Sequence, residues 1–281
     1  MTPVQVPPFE AHPIFRGGHV QTVAGAYLPI RRSGLRTQTH HVQLDDGDVV
    51  VLHDNLPSRW TEGDRVALLM HGLGGSYLSS YMVRIAAKLV DTGVRTFRMD
   101  HRGCGAGEGL ARLPYNAGRS EDALAALEAI GDLCPGSDAA IVGFSLSGNI
   151  VLKMLGEAPH RVPPHLERAM AVNPAMDLQA CAECIRAPSC RLYDRNFVGQ
   201  LYRQVKRLQR LIDDPPPHRL RGRPREIVEF DDLYTAAVCG YDGAADYYQR
   251  CSGAQFPEKG GDGRPVQRGN DPKGMAGSEL T

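Results

Sequence analysis

The chain predicts an α/β fold built on a mainly parallel sheet with helices on both faces. Three observations carry this expectation. Apolar strand-like runs alternate with segments of helical periodicity between residues 66 and 172. One run, Val66-Ala67-Leu68-Leu69-Met70, is apolar throughout and followed by glycines, as a strand buried on both faces should be. Another, Ala139-Ala140-Ile141-Val142, passes through Gly143-Phe144-Ser145-Leu146-Ser147-Gly148 into a stretch with Leu146, Ile150 and Met154 on one helical face. That is the strand–turn–helix setting in which a sharp turn lifts a serine hydroxyl clear of a sheet.

Residues 38–53 read as a β-hairpin, with Asp46-Gly47 turning between His41-Val42-Gln43-Leu44 and Val49-Val50-Val51-Leu52. After the strand at 66–70, Met82, Ile85, Ala86, Leu89 and Val90 make one apolar helix face, closed by Gly93. Val94 to Met99 supplies another strand. Ser120 is expected to cap a helix carrying Glu121 and Asp122 in its first turn, where the helix dipole favours anions. The serine turn and its helix follow, then Ala169-Met170-Ala171-Val172, ending at Pro174.

From about residue 176 the alternation stops. Segments 196–212 and 225–250 read as helices separated by Pro215-Pro216-Pro217, a helical insertion placed where a lid over a site would sit. The last stretch, 252–281, holds seven glycines and three prolines among few large apolar residues. It cannot bury enough surface to offset its ordering entropy and reads as disordered. The expected organisation is an N-terminal extension at 1–37, a core at 38–175, a helical lid region at 176–251 and a disordered tail at 252–281.

Composition narrows the function classes. Lys+Arg and Asp+Glu both count 32, so no net field points toward nucleic acid or anionic lipid. No apolar run approaches a membrane span, and the N-terminus lacks the basic flank and apolar stretch of a secretory signal, so a cytoplasmic protein is expected. Seven cysteines, an odd number without regular spacing, argue against a secreted disulfide scaffold. Cys181, Cys184 and Cys190 cluster, but a structural zinc site usually needs four ligands and no second pair is in sight. Reduced thiols are the better reading.

The chemistry centres on Ser145. Its hydroxyl is a weak nucleophile unless a neighbouring base takes the proton. The Gly-x-Ser-x-Gly pattern is relaxed, because Ser147 stands at the fifth position. It adds a side chain where close helix–strand packing usually wants none, so a slight strain is expected, which Gly148 would partly relieve. A plain turn with serines as caps is the bland alternative. The second motif, His71-Gly72-Leu73-Gly74-Gly75, directly follows the buried strand. Acyl transfer builds negative charge on a carbonyl oxygen, and the N–H groups of Leu73 and Leu146 are placed to hold that oxyanion. A phosphate loop is the rival, but no Lys-Ser or Lys-Thr follows and the G-x-G-x-x-G spacing is absent. His71 is expected to hold this loop rather than act as the base.

Taken together these segments resemble the YheT-like family of α/β-hydrolases. The resemblance runs from about residue 9 to 252 through Gly18-His19-Val20-Gln21-Thr22, the 71–75 loop, Arg102-Gly103-Cys104, Leu113-Pro114-Tyr115-Asn116-Ala117-Gly118 and Gly143-Phe144-Ser145-Leu146. It continues in the lid with Glu229-Phe230-Asp231, Thr235, Gly240-Tyr241 and Asp246-Tyr247-Tyr248. The resemblance implies an α/β-hydrolase core and carboxylic ester hydrolysis with Ser145 as nucleophile. The substrate it implies is a small-molecule or lipid ester, with no metal or organic cofactor.

The chain also departs from that pattern. After the lid, family members resemble one another in two further strands, one leading to an Asp-Asp-Pro turn with the catalytic acid and the other to a Gly-Gly-His turn with the base. Here Tyr248 is soon followed by the glycine-rich tail, so the fold is expected to lack its last two strands and the acid and base are left unassigned. Asp213-Asp214-Pro215 falls inside the lid with no strand before it, and the last histidine, His218, follows three prolines. Asp177 follows the strand at 169–172, where some α/β-hydrolases place their acid. An impaired ester hydrolase is therefore expected, with a non-catalytic binding protein on the same fold as the alternative. The strand at 169–172 should be left with an open, association-prone edge.

Overall fold

The computed structural model describes residues 13–14, 17–18, 20–21, 34–212, 220, 222–256 and 267–269. Residues 1–34 and 35–281 form separate units. In the first, the Gln21 N–H donates to the Gly17 carbonyl at 3.2 Å, while His19 and Thr22 lie outside the described residues.

In the second unit, seven described strands make one sheet: β1 (Gln38–Gln43), β2 (Val49–Asn55), β3 (Val66–Met70), β4 (Arg95–Asp100), β5 (Ala139–Phe144), β6 (Leu166–Val172) and β7 (Gln267–Gly269). Their order is β1-β2-β4-β3-β5-β6-β7. The hairpin β1–β2 and the β2–β4 pair are antiparallel, and the other neighbours run parallel, as the alternating sequence predicts. Helices α1 (Ser80–Asp91), α2 (Ser120–Leu133) and α3 (Leu146–Glu157) make the parallel crossovers.

Side chains alternate across a strand, and this divides the core into two layers. Leu68 and Met70 face α2 and α3, packing with Leu127, Ile130, Ile150 and Met154. Leu69, between them in sequence, points the other way onto Met82 and Ala86 of α1. Ser120 departs from expectation. It is the first residue of α2 rather than its cap, and Arg119 occupies the cap position without a side-chain bond. The reason is a tight turn: the Ser120 N–H donates to the Gly118 carbonyl at 2.9 Å and draws the serine into the helix.

The segment expected to form a lid contains α4 (Leu178–Arg186), α5 (Arg191–Leu211), α6 (Ile227–Phe230), a π-helical turn at Asp231–Ala236, α7 (Ala237–Cys239) and α8 (Ala244–Cys251). The long helix expected over 225–250 is broken, because Gly240 at φ 78° and Gly243 at φ 107° leave the right-handed region. Asp213, Asp214 and His218 lie outside the described residues. Cys181 and Cys184 sit on α4, Cys190 ends the short turn Pro188–Cys190, and all seven cysteines are free thiols. Among the described residues no helix is long and apolar enough to cross a membrane.

The stretch read as a disordered tail has structure where it is described. Gly253–Gln255 forms a 3₁₀ turn, and the Gly253 N–H donates to Asn149 Oδ1 at 2.7 Å. Asn149 Nδ2 donates in turn to the carbonyls of Cys251 at 2.8 Å and Ala117 at 3.2 Å. A buried polar side chain on α3 thus holds the exit from the lid, a long-range bond that composition does not reveal. The β6 edge, expected to stand open, carries β7 alongside Met170, Ala171 and Val172.

Candidate active site

Ser145 sits between β5 and α3 at φ 53° and ψ −114°, a conformation that costs a non-glycine residue energy and persists only when its surroundings enforce it. The surroundings do so. The Ser145 N–H donates to Val172 of the neighbouring strand at 2.9 Å, and its carbonyl accepts from Asn149 at 3.2 Å and Ala175 at 3.3 Å. The turn closes so tightly that a Cβ on Gly143 would lie 2.3 Å from the Ser147 carbonyl oxygen. On the facing loop, a Cβ on Gly72 would lie 3.0 Å from Ser145 Cβ. Glycine at both positions follows from backbone closeness.

The Ser147 side chain at the elbow is partnered rather than crowded out. It is fully buried, and its hydroxyl donates to the His71 carbonyl at 2.5 Å while accepting from His101 Nε2 at 2.7 Å. The serine therefore ties the elbow helix to the glycine-rich loop. Close approach is needed one residue later, where a Cβ on Gly148 would lie 3.0 Å from Pro174. His71 and His101 each follow the last residue of a strand, and β3 and β4 are parallel neighbours with Met70 opposite Met99, so the two rings meet.

The loop after β3 is fixed residue by residue. His71 Nδ1 donates to the Gly72 carbonyl at 2.8 Å. The Gly72 N–H donates to Tyr81 Oη at 3.0 Å, the Gly74 N–H to Tyr115 Oη at 2.8 Å, and the Gly75 N–H to the Gly72 carbonyl at 3.1 Å. Among the described residues the Leu73 N–H has no hydrogen-bond partner. Leu146 is the first residue of α3, so its N–H has no acceptor within the helix. Leu73, Ser145 and Leu146 line one cavity.

Among the described residues no group stands beside Ser145 to accept its proton, and its hydroxyl has no hydrogen-bond partner there. Burial, with the nearby His101 ring adding to it, depresses His71 to about 3, and burial depresses His101 to about 4, so both rings are neutral and committed to loop contacts. Asp177 caps α4 instead of facing the site: it is exposed and accepts from the Ala180 N–H at 2.9 Å.

The cavity encloses about 130 Å³ between the serine turn and the lid, with walls that include Leu178, Leu201, Val205, Ile227 and Phe230. Arg102 also lines it, with its guanidinium taken up by Asp46, Asp48 and Asp122 at 2.6–2.7 Å. Sequence reading missed a polar group inside this wall. Asp231, at the start of the π-helical turn, accepts from Thr235 Oγ1 at 2.8 Å and from Tyr248 Oη at 2.7 Å, and all three line the cavity. Burial pushes the Asp231 carboxyl up to about 6, against the pull of those two hydrogen bonds. The i,i+4 spacing of Asp231 and Thr235 was a usable signal, since it puts both on one helical face.

Comparison with known proteins adds to this picture. Residues 67–237 match the family model of the alpha/beta hydrolase fold. A relative from Escherichia coli (strain K12), named "Putative esterase YheT", is 30% identical over 85% of this chain and 70% of its own length. A Mus musculus protein named "Phospholipase ABHD3" is 26% identical over 66% of this chain, but that region is 45% of the relative's length. Among solved structures, the Pyrococcus furiosus esterase Pf2001 is 17% identical, with a TM-score of 0.46 over 71% of this chain and 67% of the other.

Proposed function

Because the chain belongs to the α/β-hydrolase family, in its YheT-like branch, we propose that it handles carboxylic esters through Ser145, with the N–H groups of Leu73 and Leu146 as the oxyanion hole. The observation that carries this reading is the shared cavity: Ser145, held at φ 53°, lines the same space as Leu73 and Leu146, the residues that carry the two N–H groups. Ser145 Oγ would attack the ester carbonyl carbon, and the carbonyl oxygen would take the negative charge between the two N–H groups. Collapse of that intermediate breaks the C–O bond to the alcohol, which leaves with a proton, and water then releases the acid from the acyl-serine. The substrate class is a small-molecule or lipid ester.

The proton has to move at each step, and the described residues place no acceptor on the Ser145 hydroxyl. They bind, orient and stabilise charge. A site with that equipment alone retains a rate of about 10³–10⁴ over water and loses most of what a full triad supplies. This absence also favours the second reading, an ester- or lipid-binding protein on a hydrolase scaffold. A fluorophosphonate probe on the folded chain, with Ser145→Ala as control, separates the two. Rapid labelling lost in the variant supports the hydrolase reading, and no labelling of folded protein supports the binding reading.

A further inference from the structure

Asp231 is the only carboxylate among the described residues that line the cavity, and nothing in the reaction above uses it. It is buried, and among the described residues no cation pairs with it: its two side-chain partners there are the hydroxyls of Thr235 and Tyr248. An ionised carboxylate offers about four acceptor sites, so two donors leave it half satisfied. A buried acceptor left short of donors costs energy that a ligand donor would recover. The π-helical turn at Asp231–Ala236 widens the helix at this point, a distortion that tends to mark functional positions. The rest of the cavity wall is largely aliphatic and aromatic, which is the usual design of a pocket that encloses an apolar group and reads one polar feature on it.

We propose that Asp231 is a specificity residue that accepts a hydrogen bond from a donor, a hydroxyl or a primary ammonium, carried by the acyl group of the ester held in this cavity. The proposal rests on the reading of this cavity as an ester site. The free space of about 130 Å³ is close to that of an apolar protein cavity of about 150 Å³ that holds one benzene, which is room for an acyl group of about six carbons. The favoured ligands are therefore esters whose acyl chain carries such a donor, ω-hydroxy and ω-amino acid esters among them, with the donor replacing the solvent that Asp231 gave up. Sites built to bond a polar group discriminate strongly against the isostere lacking it, because the acceptor is then left unpaired.

The test uses the Ser145→Ala chain, which cannot turn over, and calorimetric titration with three matched methyl esters: heptanoate, 6-hydroxyhexanoate and 6-aminohexanoate. At least one donor-bearing ester should bind ten times more tightly than the heptanoate, and the difference between the two identifies which donor the site prefers. In Asp231→Asn that preference should shrink to within threefold, while heptanoate affinity is unchanged. If Asp231→Asn does not fold, Thr235→Val serves instead: freeing one acceptor site on Asp231 should enlarge the preference for the donor, and an unchanged or smaller preference overturns the proposal. Equal or tighter binding of heptanoate to the Ser145→Ala chain overturns the proposal, as does failure of all three esters to bind. Fluorophosphonate labelling reads Ser145 directly, so the hydrolase reading can fail or stand independently.

Discussion

Ser147 offers the sharpest test of how the serine turn is built, because sequence pattern and structure assign opposite signs to its replacement. Pattern alone favours glycine at this position, so Ser147→Gly should relieve strain. In the structure the hydroxyl is fully buried and bonded to the His71 carbonyl at 2.5 Å and to His101 at 2.7 Å. Removing it leaves a buried ring donor and a carbonyl with only their mutual contact at 3.2 Å. Leaving buried partners short costs about 1–3 kcal/mol, so Ser147→Ala should lose about 2 kcal/mol. Glycine in the first turn of α3 adds roughly 1 kcal/mol of helix penalty, bringing Ser147→Gly to about 3 kcal/mol. For a chain of this size each kcal/mol moves the melting point by about 2–4 °C, so the alanine variant should melt about 4–8 °C lower and the glycine variant lower still. Urea titration followed by circular dichroism measures the same order. A glycine variant as stable as the parent, or more stable, would refute the reasoning and restore the view that this position wants no side chain.

Four further outcomes are expected. Gly143→Ala should cost at least about 3 kcal/mol, since its Cβ would meet backbone at 2.3 Å. Gly199→Ala, at an open position on α5, should gain about 0.5–1 kcal/mol, and parallel melting curves compare the two. Asp177→Ala should lose about 1 kcal/mol of helix capping without changing the rate of fluorophosphonate labelling; a fall in labelling would place Asp177 in the site. Burial depresses His71 to about 3 and His101 to about 4 from an ordinary 6.5, so between those values and 6.5 the unfolded chain binds more protons than the folded one. The stability they contribute is therefore present above about pH 6.5 and lost as pH falls. Asp231, raised to about 6 from 3.8, works in the opposite direction between those values, destabilising as pH rises. The urea midpoint should drop from pH 7.5 to pH 5, and Asp231→Asn should make that drop steeper.

The sequence by itself determined the sheet, the serine turn and the glycine loop, because each rests on local patterns. Apolar runs such as 66–70 can be satisfied only by burial on both faces, and the strand–Ser145–helix order leaves little choice about the turn between them. The alternation likewise determined a mainly parallel sheet, and the family was legible from motifs in order. What tertiary structure alone decided are contacts between residues far apart in the chain. The Ser147 hydroxyl reaches His71 across 76 positions, and Asn149 reaches Gly253 across 104. Asp231 gathers Tyr248 from another helix into a cavity wall. None of these has a period or a spacing to read. Whether a polar side chain is strained, capped, or partnered inside a core depends on which neighbours the packed fold brings to it, and packing is a property of the whole chain.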